Sequence, residues 1–161
     1  MSNPNFTAFK TIARREVARI LRIWGQTLVP PAITMTLYFL IFGKLIGSRI
    51  GDMGGFDYMD FIVPGLVMMS VIQNAYGNIS SSFFGAKFGR HVEELLVSPM
   101  PNHVILAGYV AGGVLRGLMV GLIVLAIGMA FTHVRVPHPL IMISTILLGA
   151  IIFSLAGFVN A

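Results

Sequence analysis

Apolar residues run almost unbroken through four stretches of the chain, and each stretch is closed by charged or turn-forming residues. A helix crossing a hydrocarbon core about 30 Å thick needs about 20 predominantly apolar residues. Leu28 to Ile46, Phe61 to Phe84, Val104 to Phe131 and Leu140 to Val159 are therefore expected to be four transmembrane helices. Lys44 lies in the last turn of the first, near enough to the interface for its ammonium to snorkel. A Gly/Asp-rich loop (Gly47 to Asp60), a charged segment (Lys87 to His103) and a short His/Pro/Arg loop (Thr132 to Pro139) separate them.

Ahead of the first span the periodicity changes. Phe9, Ala13, Val17, Ile20 and Trp24 recur at helical spacing, and Arg15, Arg19 and Arg22 fall on another face. That pattern predicts an amphipathic helix lying on an anionic membrane surface, with Arg14, Arg15, Arg19, Arg22 and Trp24 at the lipid boundary. A plain basic juxtamembrane flank is the other reading. Pro30-Pro31 suits the first turn of span one, where a missing N–H breaks no helical bond. Between spans two and three, Val92, Leu95 and Leu96 keep helical spacing beside Glu93 and Glu94, and Pro99 and Pro101 stop the run. A short amphipathic helix is expected there, exposed for docking.

Charge sets the orientation. Lys10, Arg14, Arg15, Arg19 and Arg22 precede span one and Lys87 and Arg90 follow span two, whereas the alternate loops hold Arg49 and Arg135. Because basic residues collect on the cytoplasmic side, the N-terminus and the Lys87 to His103 segment are expected there. Composition agrees with a membrane protein: 56% of the 161 residues are hydrophobic and 11% charged, where a soluble domain has about a quarter charged. The excess of 11 Lys and Arg over six acids is accounted for by span flanks, so no nucleic-acid partner is expected. With no cysteine, thiolate chemistry is excluded.

Candidate chemistry is sparse. No GxxxxGK[ST], HExxH, GxSxG or GxGxxG pattern occurs, so no catalytic residue and no bound cofactor is expected. The histidines are dispersed, and His133 and His138 lack acidic neighbours, so no metal site is expected. Span two carries Ser70, Gln73, Asn74, Gly77, Asn78 and Ser81 at spacings of three and four, a stripe unsuited to lipid. Hydrogen bonding between helices and the lining of a substrate path or subunit interface both account for Gln73, Asn74, Asn78 and Ser81. Arg116 in span three costs on the order of 3 kcal/mol at mid-bilayer. It is expected either to snorkel or pair at an interface, or to serve as a substrate counter-ion. Gly108, Gly112, Gly113, Gly117 and Gly121 around it form overlapping GxxxG patterns, which are expected to serve internal packing.

These features together resemble the ABC-2 type permeases, the membrane subunits of bacterial ABC exporters. The stretches that carry the resemblance are LVPPAITMTLYFLIFGKLIGSRIGDM, FIVPGLVMMSVIQNAYGNISSSFFGAKF and VEELLVSPMPNHVILAGYVAGG, with Glu94, Leu95, Leu96 and Pro99 as a Glu-Leu-Leu-x-x-Pro helix. The resemblance implies an all-α membrane fold of six spans, a permease homodimer in the bacterial inner membrane, and a separate ABC ATPase subunit that binds ATP and Mg. It makes residues 1–27 an interfacial segment and 28–161 a transmembrane domain holding four of the six spans. Residues 90–99 become the coupling helix, with Arg90, Glu93, Glu94, Leu95, Leu96 and Pro99 as its contacts to the ATPase, and residues 14–24 the connecting helix. Two departures stand out: the family's Gly-Lys opening span three reads Gly108-Tyr109, and spans five and six have no counterpart. The uncharged ending Val159-Asn160-Ala161 reads as a chain cut short, for which a non-transporting membrane anchor or scaffold is the alternative function.

Overall fold

The structure, a computed structural model, describes residues 4–47, 52–53, 56–132 and 138–161, with the backbone alone at 44–46, 52, 53, 56 and 57. Arg49, His133 and Arg135, the loop stretches around them and the side chain of Lys44 lie outside the described residues.

Six α-helices occur among the described residues: α1 (Pro4–Arg22), α2 (Trp24–Tyr38), α3 (Tyr58–Phe88), α4 (His91–Val97), α5 (Asn102–Phe131) and α6 (Pro139–Asn160). From Phe39 to Gly47 the chain continues α2 as a wider π-helix, and Asp52–Met53 pairs antiparallel with Phe56–Asp57 just before α3. Among the described residues the fold is otherwise all-α, as the periodicity predicts. Among the described residues three helices are long and apolar enough to cross a membrane: Trp24–Gly43, Asn102–Phe131 and Pro139–Asn160. The second expected span, Phe61 to Phe84, is fully helical inside the 31-residue α3. Its polar stripe lowers its hydropathy below that of the other three.

The entrance to the first span differs from expectation. Pro30 and Pro31 lie inside α2 and not in its first turn. The helix starts earlier because α1 and α2 are nearly continuous: only Ile23 leaves helical geometry (φ −112°, ψ 31°). Ile23 N–H still donates to Arg19 C=O at 3.3 Å, and Thr27 N–H to Ile23 C=O at 3.0 Å, so backbone bonding carries across the break.

Glycine decides how the helices pack. A β-carbon on Gly108 would stand 2.5 Å from Ile12 Cγ2, and one on Gly112 would stand 2.7 Å from Glu16 Cβ. One edge of α5 is thus a groove that receives α1, and the matching steps (12 to 16, 108 to 112) make the two helices run in the same direction. The other edge meets α3: Gly117 faces Ala75 and the Val71 carbonyl, Gly121 faces Val71, and Gly128 faces Val63 at 2.9 Å. Small residues at membrane helix contacts allow such close approach. The expected internal packing of the α5 glycines is what the structure contains.

Two apolar clusters mark the two ends of the bundle. Met35, Phe39, Met59, Val63, Val67, Val120 and Val124 bury one another at the end where Thr132 Oγ1 donates to Asp60. At the opposite end Ile12, Ile105 and Tyr109 pack with Phe83, Leu95 and Phe158, and the Phe83 and Phe158 rings lie 4.1 Å apart. The basic helix α1 and the short helix α4 therefore share one end of the molecule.

Candidate functional site

Two arrangements at or near that end collect the residues singled out from the sequence. The first is α4 itself. Gly89 N–H bonds back to Gly85 C=O at 2.9 Å, and Arg90, with φ 59° and ψ 10°, turns the chain left-handed out of α3. An arginine in that region carries backbone strain that a glycine would not. Glu93 and Glu94 stand in the first turn of α4, where carboxylates oppose the positive end of the peptide dipoles. Both are exposed, as are Leu96, Val97 and Pro99. Ser98 is extended (φ −70°, ψ 149°), as the residue before a proline favours, and ends the helix.

Leu95 alone of the α4 candidates joins the interior, by packing on the Ile12, Ile105 and Tyr109 cluster. An apolar cavity of about 570 Å³ lies behind α4, lined by Val92, Leu95, Leu96, Phe83, Ile105, Leu106 and Phe158, with Lys87 and His103 at its polar edge. Lys87 Nζ also donates to the Ala161 carbonyl at 3.1 Å, and it lies 5.7 Å from the centre of the Phe83 ring. The helix thus rests through Leu95 on a base built from α1, α3, α5 and α6, while Glu93 and Glu94 are exposed.

The second arrangement is a buried polar knot where α1, α3 and α5 meet. Arg19 Nη2 contacts Glu16 Oε2 at 2.8 Å and donates to Asn78 Oδ1 at 2.9 Å. Ser82 Oγ donates to the other Glu16 oxygen at 2.8 Å, and Arg116 Nη1 reaches Asn78 Oδ1 at 3.5 Å. Glu16 and Asn78 are buried, and Arg19 and Arg116 half-buried. Four buried side-chain atoms have no partner among the described residues: Arg19 Nε, Asn78 Nδ2, Arg116 Nε and Ser154 Oγ on α6.

Several sequence expectations are redistributed by this knot. Arg14, Arg15, Arg22 and Trp24 are exposed, but Arg19 departs from them and turns inward. The buried face of α1 is Ile12, Glu16 and Ile20; of the expected Phe9, Ala13, Val17, Ile20, Trp24 stripe it keeps Ile20, and it is rotated from the rest because the glycine groove of α5 selects it. Trp24 is 61% exposed and belongs to no core cluster. The polar stripe of α3 divides: Ser70 and Asn78 are buried, Asn74 is half-buried, and Gln73 and Ser81 are exposed. Asn74 Nδ2 donates to Ser70 C=O and Ser81 Oγ to Gly77 C=O, both within α3. Ser70, Gln73 and Asn74 border a cavity of about 280 Å³ against Pro30, Pro31, Thr34 and Met35 of α2.

Glu16 and Ser82 are the members of the knot that the sequence reading did not single out. The available signal was an acid placed at four-residue steps between Ile12 and Ile20, matching the glycine step of α5. Among the described residues no group of three or more His, Cys, Asp or Glu could hold a metal ion.

Residues 7–161 match the family described as ABC-2 type transporter. The chain is 63% identical over 155 residues to the protein named inner membrane transport permease YadH of Escherichia coli strain K12, and equally to that of Shigella flexneri. Each match covers 96% of this chain and 60% of the relative, so the chain spans about 60% of the length of these relatives. No solved structure matches it.

Proposed function

The chain belongs to the ABC-2 type transporter family, and from that premise we propose that it is the membrane part of a permease subunit of a bacterial ABC exporter in the inner membrane. ATP and Mg are bound and turned over on a separate ATPase subunit, and a second permease copy completes the path. In this reading α3 is a fourth span beside the three more apolar helices: its 31 residues reach about 46 Å. Its less apolar flank, with Gln73, Asn74 and Ser81, is shielded from lipid by the second copy or by the transported substrate. Residues 1–27 form the interfacial segment, 28–161 the transmembrane domain, and the N-terminus is cytoplasmic. The exposed Arg14, Arg15, Arg22 and Trp24 lie at the lipid headgroups.

One observation carries the proposal. Helix α4 stands at the same end as the basic α1, its Glu93 and Glu94 free, while Leu95 inserts into a cluster shared with α1, α5 and α6. A movement imposed on Glu93, Glu94, Leu96 or Pro99 by an ATPase is delivered through Leu95 to the spans as a rigid-body shift. Arg90 at the strained turn fixes where α4 leaves α3.

The test is co-purification of the tagged permease with a co-expressed ABC ATPase subunit, for the parent and for Glu94→Arg. The charge reversal is expected to lower ATPase recovery at least tenfold while membrane insertion is unchanged. Undiminished recovery would overturn the coupling role of α4.

A further inference from the structure

The buried knot holds more donors than acceptors. Two guanidiniums, Arg19 and Arg116, converge on one amide oxygen, at 2.9 and 3.5 Å, and a single carboxylate, Glu16, stands against them. Its formal charge is therefore +1. Of its atoms without a partner among the described residues, all three are N–H donors: Arg19 Nε, Arg116 Nε and Asn78 Nδ2. Asn78 is 0% exposed, so its amide has no recourse to solvent. An unpaired buried donor costs about 1–3 kcal/mol, more when charged, and two like charges sharing one acceptor repel each other.

The complement of such a site is a group that offers only acceptors and carries negative charge. Water supplies an acceptor but leaves the charge in place; a carboxylate or phosphate oxygen supplies both, and arginine recognises these groups with strong, short bonds. There is also a way in. Arg19 keeps 32% of its side chain exposed, and Lys10, Arg14 and Arg15 line a groove on the outer face of α1. Such a basic surface raises the local concentration of anions around α1. We propose that Arg19, Asn78 and Arg116 form a binding site for an anionic oxygen group, phosphate or carboxylate, that enters beside Arg19. A lipid headgroup and a free anion share this chemistry.

The experiment uses the full chain purified in a neutral detergent, with thermal unfolding followed during titration with phosphatidylglycerol, phosphatidylcholine or inorganic phosphate at constant ionic strength. Phosphatidylglycerol, inorganic phosphate or both are expected to raise the midpoint, and phosphatidylcholine to do so much less. A response to phosphatidylglycerol alone assigns a lipid headgroup, and a response to phosphate assigns a free anion. Arg116→Gln is expected to weaken the apparent affinity at least tenfold, whereas Arg90→Gln at the exposed α3–α4 turn leaves it within twofold. Asn78→Asp places a fixed negative charge between the two guanidiniums; it is expected to raise the midpoint without ligand and to abolish the response, and it serves if Arg116→Gln does not fold. Equal stabilisation by all lipids, equal loss in Arg90→Gln and Arg116→Gln, or a persistent response in Asn78→Asp would each overturn the proposal. None of these readouts involves transport or an ATPase, so the outcome is independent of the permease assignment.

Discussion

Replacing Glu16 with alanine removes the carboxylate that ties α1 to the rest of the bundle. Glu16 accepts from Arg19 and Ser82, each at 2.8 Å, and its side chain is 5% exposed. Breaking a buried ion pair by deleting one partner costs about 3–5 kcal/mol, because the other charge stays buried. Arg19 is 32% exposed and keeps its bond to Asn78, so part of that penalty is relieved by solvent, and about 2–3 kcal/mol is expected. Glu16→Gln retains an acceptor for Ser82 and is expected to lose about half as much. The assay is equilibrium unfolding in mixed micelles, followed by circular dichroism and by the fluorescence of Trp24, the sole tryptophan, at the α1–α2 junction. A double-mutant cycle with Arg19→Ala is expected to give a coupling of about 1–2 kcal/mol. A Glu16→Ala variant within about 0.5 kcal/mol of the parent, or a cycle that closes at zero, would refute the pairing as a source of stability.

Other consequences follow from the packing. Gly108→Ala forces a β-carbon to within 2.5 Å of Ile12 Cγ2, so it is expected to destabilise by about 1–3 kcal/mol and to loosen α1, read as faster proteolysis of the N-terminal segment. Gly77→Ala meets nothing within 4 Å; in a helix interior it is expected to stabilise by up to about 1 kcal/mol in the same unfolding assay, if that face is not occupied by a partner copy. Arg90→Gly removes the side chain from a left-handed residue and is expected to raise stability by about 0.5–1 kcal/mol, with the α3–α4 turn retained in amide exchange.

Much of the architecture is legible because a membrane span is a composition signal. The expected Val104 to Phe131 and Leu140 to Val159 become Asn102–Phe131 and Pro139–Asn160. Pro99 and Pro101 likewise bracket the end of α4 correctly, since the proline ring acts on its immediate neighbour whatever the tertiary fold. The polar knot is another matter. That Arg19 faces Asn78, 59 residues away, depends on which edge of α5 receives α1, and a single-helix pattern cannot express that choice. The hydrophobic stripe of α1 therefore shares only Ile20 with the buried face, and Glu16 is hidden among five neighbouring cations. Arg116 illustrates the same limit: no acid occurs in any expected span, and the carboxylate that offsets the charge in its surroundings comes from the helix assigned to the surface. The π-helical continuation Phe39–Gly47 had no sequence signal, because its residues are as apolar as those of an α-helical span.

The chain is expected to thread the bilayer with α1 and α4 on the cytoplasmic side. The chain contains no cysteine, so a Glu94→Cys variant carries one thiol, on an exposed helix. Labelling with a membrane-impermeant maleimide is expected to fail in intact spheroplasts and to succeed in inverted vesicles. Labelling of spheroplasts, with inverted vesicles unreactive, would place α4 outside the cell, where no cytoplasmic ATPase could reach it.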